Sequence, residues 1–148
     1  MALNDTYYTF RPEVPINDLA GQSSASTTTS TSFVQAGYGK TATPIRTGRF
    51  LIIMTILLGN ATAGDGAQAK LSIGTGSAPA SGASATGTVI SPTTTVVSGA
   101  ANANKTVTLF AAISGLTLGV AYWIDAQIAA VTGGTANYQI TGCTVVEI

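Results

Sequence analysis

The stretch FLIIMTILLG, Phe50 to Gly59, is apolar on either alternation and stands in a chain dominated by Ala, Gly, Ser and Thr. Such a run fits a membrane span, a buried helix or a strand covered on both faces. A membrane helix needs about 20 apolar residues to cross about 30 Å, whereas a ten-residue helix covers only about 15 Å. The run is closed by Gly59-Asn60 and preceded by Arg46 and Arg49. Phe, Ile and Thr favour strands. It reads as a strand.

Its even positions are Phe50, Ile52, Met54, Ile56 and Leu58, and its odd positions are Leu51, Ile53, Thr55 and Leu57. Successive side chains of a strand point to opposite faces. A monomeric sandwich would leave one of these rows wet, and a row of large aliphatics in water is an aggregation hazard. Both faces therefore need a cover. We assign the even row to the opposing sheet and Leu51, Ile53, Thr55 and Leu57 to a subunit interface, with the reverse assignment left open. Covering Leu51, Ile53 and Leu57 contributes about 1.5 to 3 kcal/mol per side chain, enough over several copies around a symmetry axis to hold an oligomer. The alternative cover is the N-terminal segment or the 74–88 loop of the same chain.

The rest of the chain divides into an arm and a domain. Residues 1–32 form an extended N-terminal arm and connector. Tyr7, Tyr8, Phe10 and Arg11 sit beside Pro12 and Pro15, and prolines that close together discourage helix. SSASTTTSTS, 23–32, is a low-complexity tether. Exposed tyrosines are costly to leave unused, so Tyr7, Tyr8, Phe10, Arg11 and Pro12 are expected to dock on a partner. Residues 33–148 read as β throughout. AQAKLSIG, 67–74, alternates with Ala67, Ala69, Leu71 and Ile73 on one face. Lys105–Ile113 alternates with Val107, Leu109, Ala111 and Ile113 together, and Val120–Val131 with Val120, Tyr122, Ile124, Ala126 and Ile128 together. The 74–88 segment is too long for a hairpin turn and is expected to cross an edge or end of the sheet. About eight antiparallel strands with turn residues between them predict an all-β, jelly-roll-type β-sandwich.

Chemistry is sparse. Charged residues are 8% of the chain and cancel to a net charge of zero, against about 25% in an ordinary domain. No electrostatic footprint for nucleic acid or an anionic membrane is present, and near-zero charge favours association. There is no histidine, so histidine acid–base chemistry and histidine metal ligation are excluded. Cys143, the only cysteine, has no histidine to activate it and reads as a small buried hydrophobe. After the connector the carboxylates are Asp65, Asp125 and Glu147. Asp65 lies in a Gly-Asp-Gly turn and reads as a turn former. Gly37-Tyr38-Gly39-Lys40-Thr41 imitates the end of a P-loop, but Val34 stands where the first glycine belongs. Tyr38, Tyr122, Trp123 and Tyr138 are candidates for stacking on sugars, with core placement the plainer reading of Trp123. No enzyme activity, metal or cofactor is expected. MALNDTYYTFRPE carries no basic segment followed by an apolar one, so no secretory leader is expected. The acceptor patterns at Asn4, Asn60 and Asn104 are read as chance.

PIRTGRFLIIMTILLGNATAGDGAQAKLSIGTGSAPASGASATGT, from Pro44, and GLTLGVAYWIDAQIAAVTGGTA, from Gly115, resemble a β-sandwich module of tailed-phage virion proteins. The Thr-Gly-Arg and Tyr-Trp-Ile-Asp strings carry the resemblance, which runs from Pro44 to the C-terminus. A coarser likeness, of topology only, is to the trimeric jelly rolls of the C1q and tumour-necrosis-factor type. The resemblance implies a virion structural protein at the virion surface, assembled in the host cytoplasm. The expectation is a homotrimeric capsid decoration (cement) protein, anchored by its arm to the major capsid protein or another virion protein, with no nucleic acid or membrane partner. The alternative is a receptor- or glycan-binding tip of a head or tail fibre. The arm departs from the module, and no collagen-like or coiled-coil segment precedes the sandwich, which favours a short cap over a long fibre.

Overall fold

The computed structural model describes residues 16–148. Eleven strands follow one another along these residues. They are β1 (Ile16–Ala20), β2 (Ser26–Thr28), β3 (Val34–Gln35), β4 (Lys40–Ala42), β5 (Phe50–Asn60), β6 (Gly66–Thr75), β7 (Thr88–Val89), β8 (Thr94–Val97), β9 (Lys105–Ile113), β10 (Tyr122–Ala130) and β11 (Ala136–Glu147). No helix occurs among them, so none is long and apolar enough to cross a membrane.

Two antiparallel sheets face each other. The first runs β1-β11-β5-β9, with β2 continuing the edge beside β11; the second runs β3-β10-β6-β7, with β4 also on β10 and β8 also on β6. Three pairs of short strands, β1/β2, β3/β4 and β7/β8, thus share one position each. Eleven strands fill eight positions, four per sheet, and from β5 onward the long strands alternate between sheets. That is the jelly roll, two Greek keys wrapped into a sandwich. Its all-β character and sandwich form agree with the sequence reading, but one of the eight positions, shared by β1 and β2, comes from residues 16–28, which that reading placed in the arm and connector.

The core forms where inward rows meet. Phe50, Ile52, Met54, Ile56 and Leu58 of β5 are fully buried, as are Ala67, Ala69 and Leu71 of β6. Ile124, Ala126 and Ile128 of β10 join them, and Leu109 and Ala111 of β9 are buried as well. Each large aliphatic among them contributes about 1.5 to 3 kcal/mol on leaving water. The even row of the opening run is therefore the core row.

β11 reaches the core by changing parity. Ala136, Tyr138 and Ile140 point inward, then Cys143 and Val145 do. The pairing to β5 slips between Ile140 and Gly142, leaving Thr141 as the extra residue of a β-bulge. The turn after β1 packs on this bulge. Gln22 N–H donates to the Ile140 carbonyl at 2.7 Å, and Gln22 Oε1 accepts from Ile140 N–H at 3.1 Å. A Cβ on Gly21 would collide with the Thr141 carbonyl.

The stretch 16–28, read from sequence as arm and tether, runs extended along the edge of the first sheet: β1 pairs Ile16 with Val146 through Ala20 with Gly142, and β2 pairs Ser26–Thr28 with Tyr138–Ala136.

Candidate interaction surface

The outer faces of the two sheets are treated differently by the chain. On the second sheet, β10 is buried on both sides: its inward row lies in the core, and Trp123, Asp125, Gln127 and Ala129 of its outward row are each at most 3% exposed. The loop between β6 and β7, residues 76–87, covers Trp123 and Gln127, and the turn between β3 and β4 closes over Asp125. Gln35 and Gln127 both donate a side-chain N–H to the Thr86 carbonyl, at 2.8 and 2.9 Å. Gln35 N–H donates to the Ala83 carbonyl, and Gly82 N–H donates back to the Gln35 carbonyl, both at 2.9 Å. Gly74 stands directly across from Trp123 in the register. The indole fills the space that side chains at Gly74 and Gly87 would occupy, while its N–H donates to the Thr75 carbonyl at 3.2 Å. Gly87 also has a φ of +78°, a conformation that a side chain would strain. The loop thus crosses an edge of the sheet as expected, and it covers the second sheet rather than the outer face of β5.

Two carboxylates, Asp125 and Glu147, are occupied by the backbone. Asp125 is fully buried and accepts N–H bonds from Gly37 and Tyr38 at 3.0 Å each and from Ala126 at 2.8 Å. Burial pushes its carboxyl up to about 6, with the three N–H donors pulling the other way. The segment that imitates a P-loop is therefore the turn between β3 and β4, and two of its amides are taken by the protein's own carboxylate. Glu147 plays a similar part at the start of β5. Its carboxylate accepts N–H bonds from Ile45, Arg46 and Thr47 at 2.7 to 3.1 Å, with Gly48 at 3.4 Å. Desolvation works to raise this carboxyl, but the ring of N–H donors outweighs it and holds the group down at about 2. Asp65 accepts from the Thr132 hydroxyl at 2.6 Å. Among the described residues no three His, Cys, Asp or Glu side chains gather as a metal site would need.

Other candidate groups are also structural in their placement. Cys143 is buried, which pushes its thiol up to about 12 and keeps it protonated. Tyr38, Trp123 and Tyr138 are at most 6% exposed, so these three rings are not offered to a ligand. Tyr38 O–H donates to the Leu19 carbonyl at 3.0 Å, and the Tyr138 and Ser81 hydroxyls bond at 3.1 Å. Asn60 is fully buried and donates to the Gly66 and Gly133 carbonyls, so its acceptor pattern is closed to modification in the folded protein. Residues Tyr7, Tyr8, Phe10, Arg11 and Pro12 lie outside the described residues.

Among the described residues, nothing covers the outer face of the first sheet. Residues paired across neighbouring strands share a face, so the register defines its rows. Ile16, Val146, Leu51 and Ala112 form one row, and Asp18, Thr144, Ile53 and Phe110 the next. Ala20, Gly142, Thr55 and Thr108 form the third, and Gln139, Leu57 and Thr106 the fourth. The only formal charge in these rows is Asp18, whose carboxylate accepts from the Thr144 hydroxyl at 2.6 Å. Leu51, Thr55 and Leu57 are half-buried by their sheet neighbours, and Ile53 is 38% exposed. Phe110, at 66%, and Ile16, at 63%, stand out furthest. Beside them lies a groove of about 390 Å³ whose floor includes Ala20, Ile53, Thr55 and Gly142. A second groove, about 430 Å³ and lined by Gly21–Ser24, Ser26, Gly37, Tyr38 and Lys40, is polar.

Phe110 is the residue that reading the sequence missed. Its signal was present: in KTVTLFAAI the outward positions are Thr106, Thr108, Phe110 and Ala112, one large aromatic in an otherwise small or polar row.

No family model matches the sequence, and no curated protein matches it. Solved structures do resemble it. The fold is similar to that of VP2 in the subviral particle of infectious bursal disease virus, with a TM-score of 0.53 and 11% identity over 91% of this chain and 32% of that one. It is similarly close to a chain of the Gt strain of the same virus, with a TM-score of 0.51 and 8% identity over 91% of this chain and 33% of that one. The chain therefore spans about a third of the length of these viral chains, and at such identities the likeness is one of fold.

Proposed function

We propose that this chain is a structural component of a phage virion: a homotrimeric capsid decoration protein, held on the head through its N-terminal arm. The observation that carries the reading is the outer face of the first sheet, which is rich in apolar side chains, carries one formal charge, and is left uncovered by the described residues, while the 76–87 loop covers the other sheet. A soluble monomer rarely leaves such a face unused. The fold, similar to that of a virus-particle protein, supports the same reading. Decoration needs buried area and symmetry rather than chemistry, and Asp125 and Glu147 are spent on holding turns. Tyr7, Tyr8, Phe10, Arg11 and Pro12 are the proposed contacts with the major capsid protein or another virion protein. The competing role, a glycan-binding tip, would use exposed rings; Tyr38, Trp123 and Tyr138 are buried and Tyr122 is half-buried, which leaves Phe110 as the exposed ring among the described residues.

The test is particle binding. Purified protein is mixed with heads of the parent phage that lack it, and co-sedimentation and electron microscopy follow. Bound protein at local three-fold positions is the expected result. A variant without residues 2–15 keeps β1 intact and should stay in the supernatant. Decoration by that truncated form would overturn the role of the arm, and failure of the full chain to bind would overturn the decoration reading.

A further inference from the structure

We infer that the outer face of the first sheet receives a second copy of this chain through a specific knob and socket: Phe110 of one copy enters the groove over Gly142 of its neighbour. The inference rests on the oligomeric part of the function proposed above and assigns the contact that would make it.

The knob is the most exposed of the large apolar side chains on this face, at 66%. It sits on β9, the edge strand of the sheet, beside Ile53 in the register. The socket lies toward the opposite edge. Its floor is Ala20, Gly142 and Thr55, three small residues side by side in one row, and a Cβ added to Gly142 would meet nothing within 4 Å. The groove above them, about 390 Å³, has room for an aromatic ring. Phe110 cannot fill the socket of its own chain. Two strand spacings and two residues separate them, roughly 12 Å along the face, and a phenylalanine side chain points away from its sheet rather than along it.

The dimensions and charge of the face fit a second copy of this chain. Four strands by about seven residues give roughly 400 Å² in projection, and the accessible area is larger because Phe110 and Ile16 stand proud. That approaches the roughly 600 Å² per partner at the low end of specific interfaces. With one charge, already hydrogen-bonded within the chain, the face sets no like-charge barrier against a copy of itself. Knob and socket on the same molecule, near opposite edges, make a head-to-tail contact, and such contacts close into rings when the rotation allows. A partner of different sequence would need only one of the two features; a second copy uses both.

The experiment is the solution mass, by sedimentation equilibrium or light scattering, of the full chain and of two variants. Phe110→Ala removes the knob and keeps the socket. Gly142→Leu fills the socket and keeps the knob, and it leaves the fold intact because the added atoms point into open space and Gly142 is not among the residues of positive φ. Unchanged melting under dilute conditions checks that. The expected result is an oligomeric parent and, for each variant alone, a dissociation constant raised about tenfold or more, as for a truncated aromatic anchor. Mixed at equal concentration, the two variants should form a 1:1 pair of twice the chain mass, because one retained knob meets one retained socket. An oligomeric parent with unaffected variants overturns the knob and socket and leaves the oligomer standing. Variants that dissociate but do not pair on mixing overturn it equally. A parent that is monomeric at micromolar concentration removes both the contact and the oligomer. Loss of particle binding with this mass pattern intact removes the virion role and leaves the contact standing.

Discussion

Replacing Asp125 by Asn should change how stability depends on pH more than stability itself. The wild-type carboxyl is fully buried and is pushed from 3.8 up to about 6, by burial first and against three N–H donors. A carboxyl whose folded pKa is raised binds its proton more tightly in the folded state. Its contribution is therefore fully present below pH 3.8 and is lost as pH rises through 6. That displacement corresponds to about 3 kcal/mol. Wild-type protein should lose stability of that order between pH 4 and pH 7.5. In Asp125→Asn the amide cannot ionise, so that slope disappears. The amide also turns one N–H donor toward the Gly37 or Tyr38 amide, leaving an unsatisfied buried pair worth about 1 to 3 kcal/mol. At pH 4 the variant should be weaker than wild type by about that amount, and by pH 7.5 the two should converge or cross. Urea unfolding followed by Trp123 fluorescence at the two pH values measures it. Parallel slopes for wild type and Asp125→Asn would refute the argument, as would a wild type that gains stability across that interval.

Glu147 predicts the opposite sign. Its folded pKa is lowered from 4.5 to about 2, so its contribution is present above pH 4.5 and is lost as pH falls from there toward 2; Glu147→Gln should lose stability above pH 4.5 and flatten the acid limb of the same unfolding series. Ile52→Ala empties a fully buried core position and should cost about 2 to 5 kcal/mol in thermal or urea unfolding. Ile53→Ala, one residue on and 38% exposed, should cost under about 1 kcal/mol in dilute monomer, and equal costs would refute the face assignment. Gly21→Ala sets a methyl group against the Thr141 carbonyl at the bulge and should lower the melting temperature, whereas Gly99→Ala, with nothing within 4 Å, should not.

The alternation of β6 and β9 was legible because each row faces one environment. Ala67, Ala69, Leu71 and Ile73 point into the core, as do Leu109 and Ala111, and a period of two reports that directly. β10 shows the same alternation, yet both of its faces are dry. Its outward Trp123 and Gln127 are covered by a loop some forty residues away in sequence and Asp125 by the turn at Gly37-Tyr38, farther still, and only the glycines at 74 and 87 hint at the slot that the indole needs. β11 carries its bulge as a broken period: Ile140 to Cys143 is a three-residue step between inward side chains. The segment 16–28 carries no apolar period to read, since Ser26–Thr28 joins its sheet through backbone bonds that any residue can make. In the candidate surface, Leu51, Ile53, Thr55 and Leu57 were legible as a row. Phe110 escaped because its importance depends on which strand neighbours β5.

That neighbour changes where the run's association energy resides. Standing alone, the strand Phe50–Leu58 would need a cover on both faces along its whole length. In the sheet, β9 and β11 flank it on either side, and their side chains already leave Leu51, Thr55 and Leu57 only half in contact with water. The outward aliphatics of the run therefore have less left to gain from a partner than an isolated strand would suggest. The larger remaining gains lie at the rim, with Phe110 on one edge strand and Ile16 on the other, and buried aromatics dominate interface energies. If copies of this chain associate through this face, Ile53 supplies the dry floor and Phe110 the anchor. Ile53→Ala should then weaken association less than Phe110→Ala, even though the apolar run drew attention to the face.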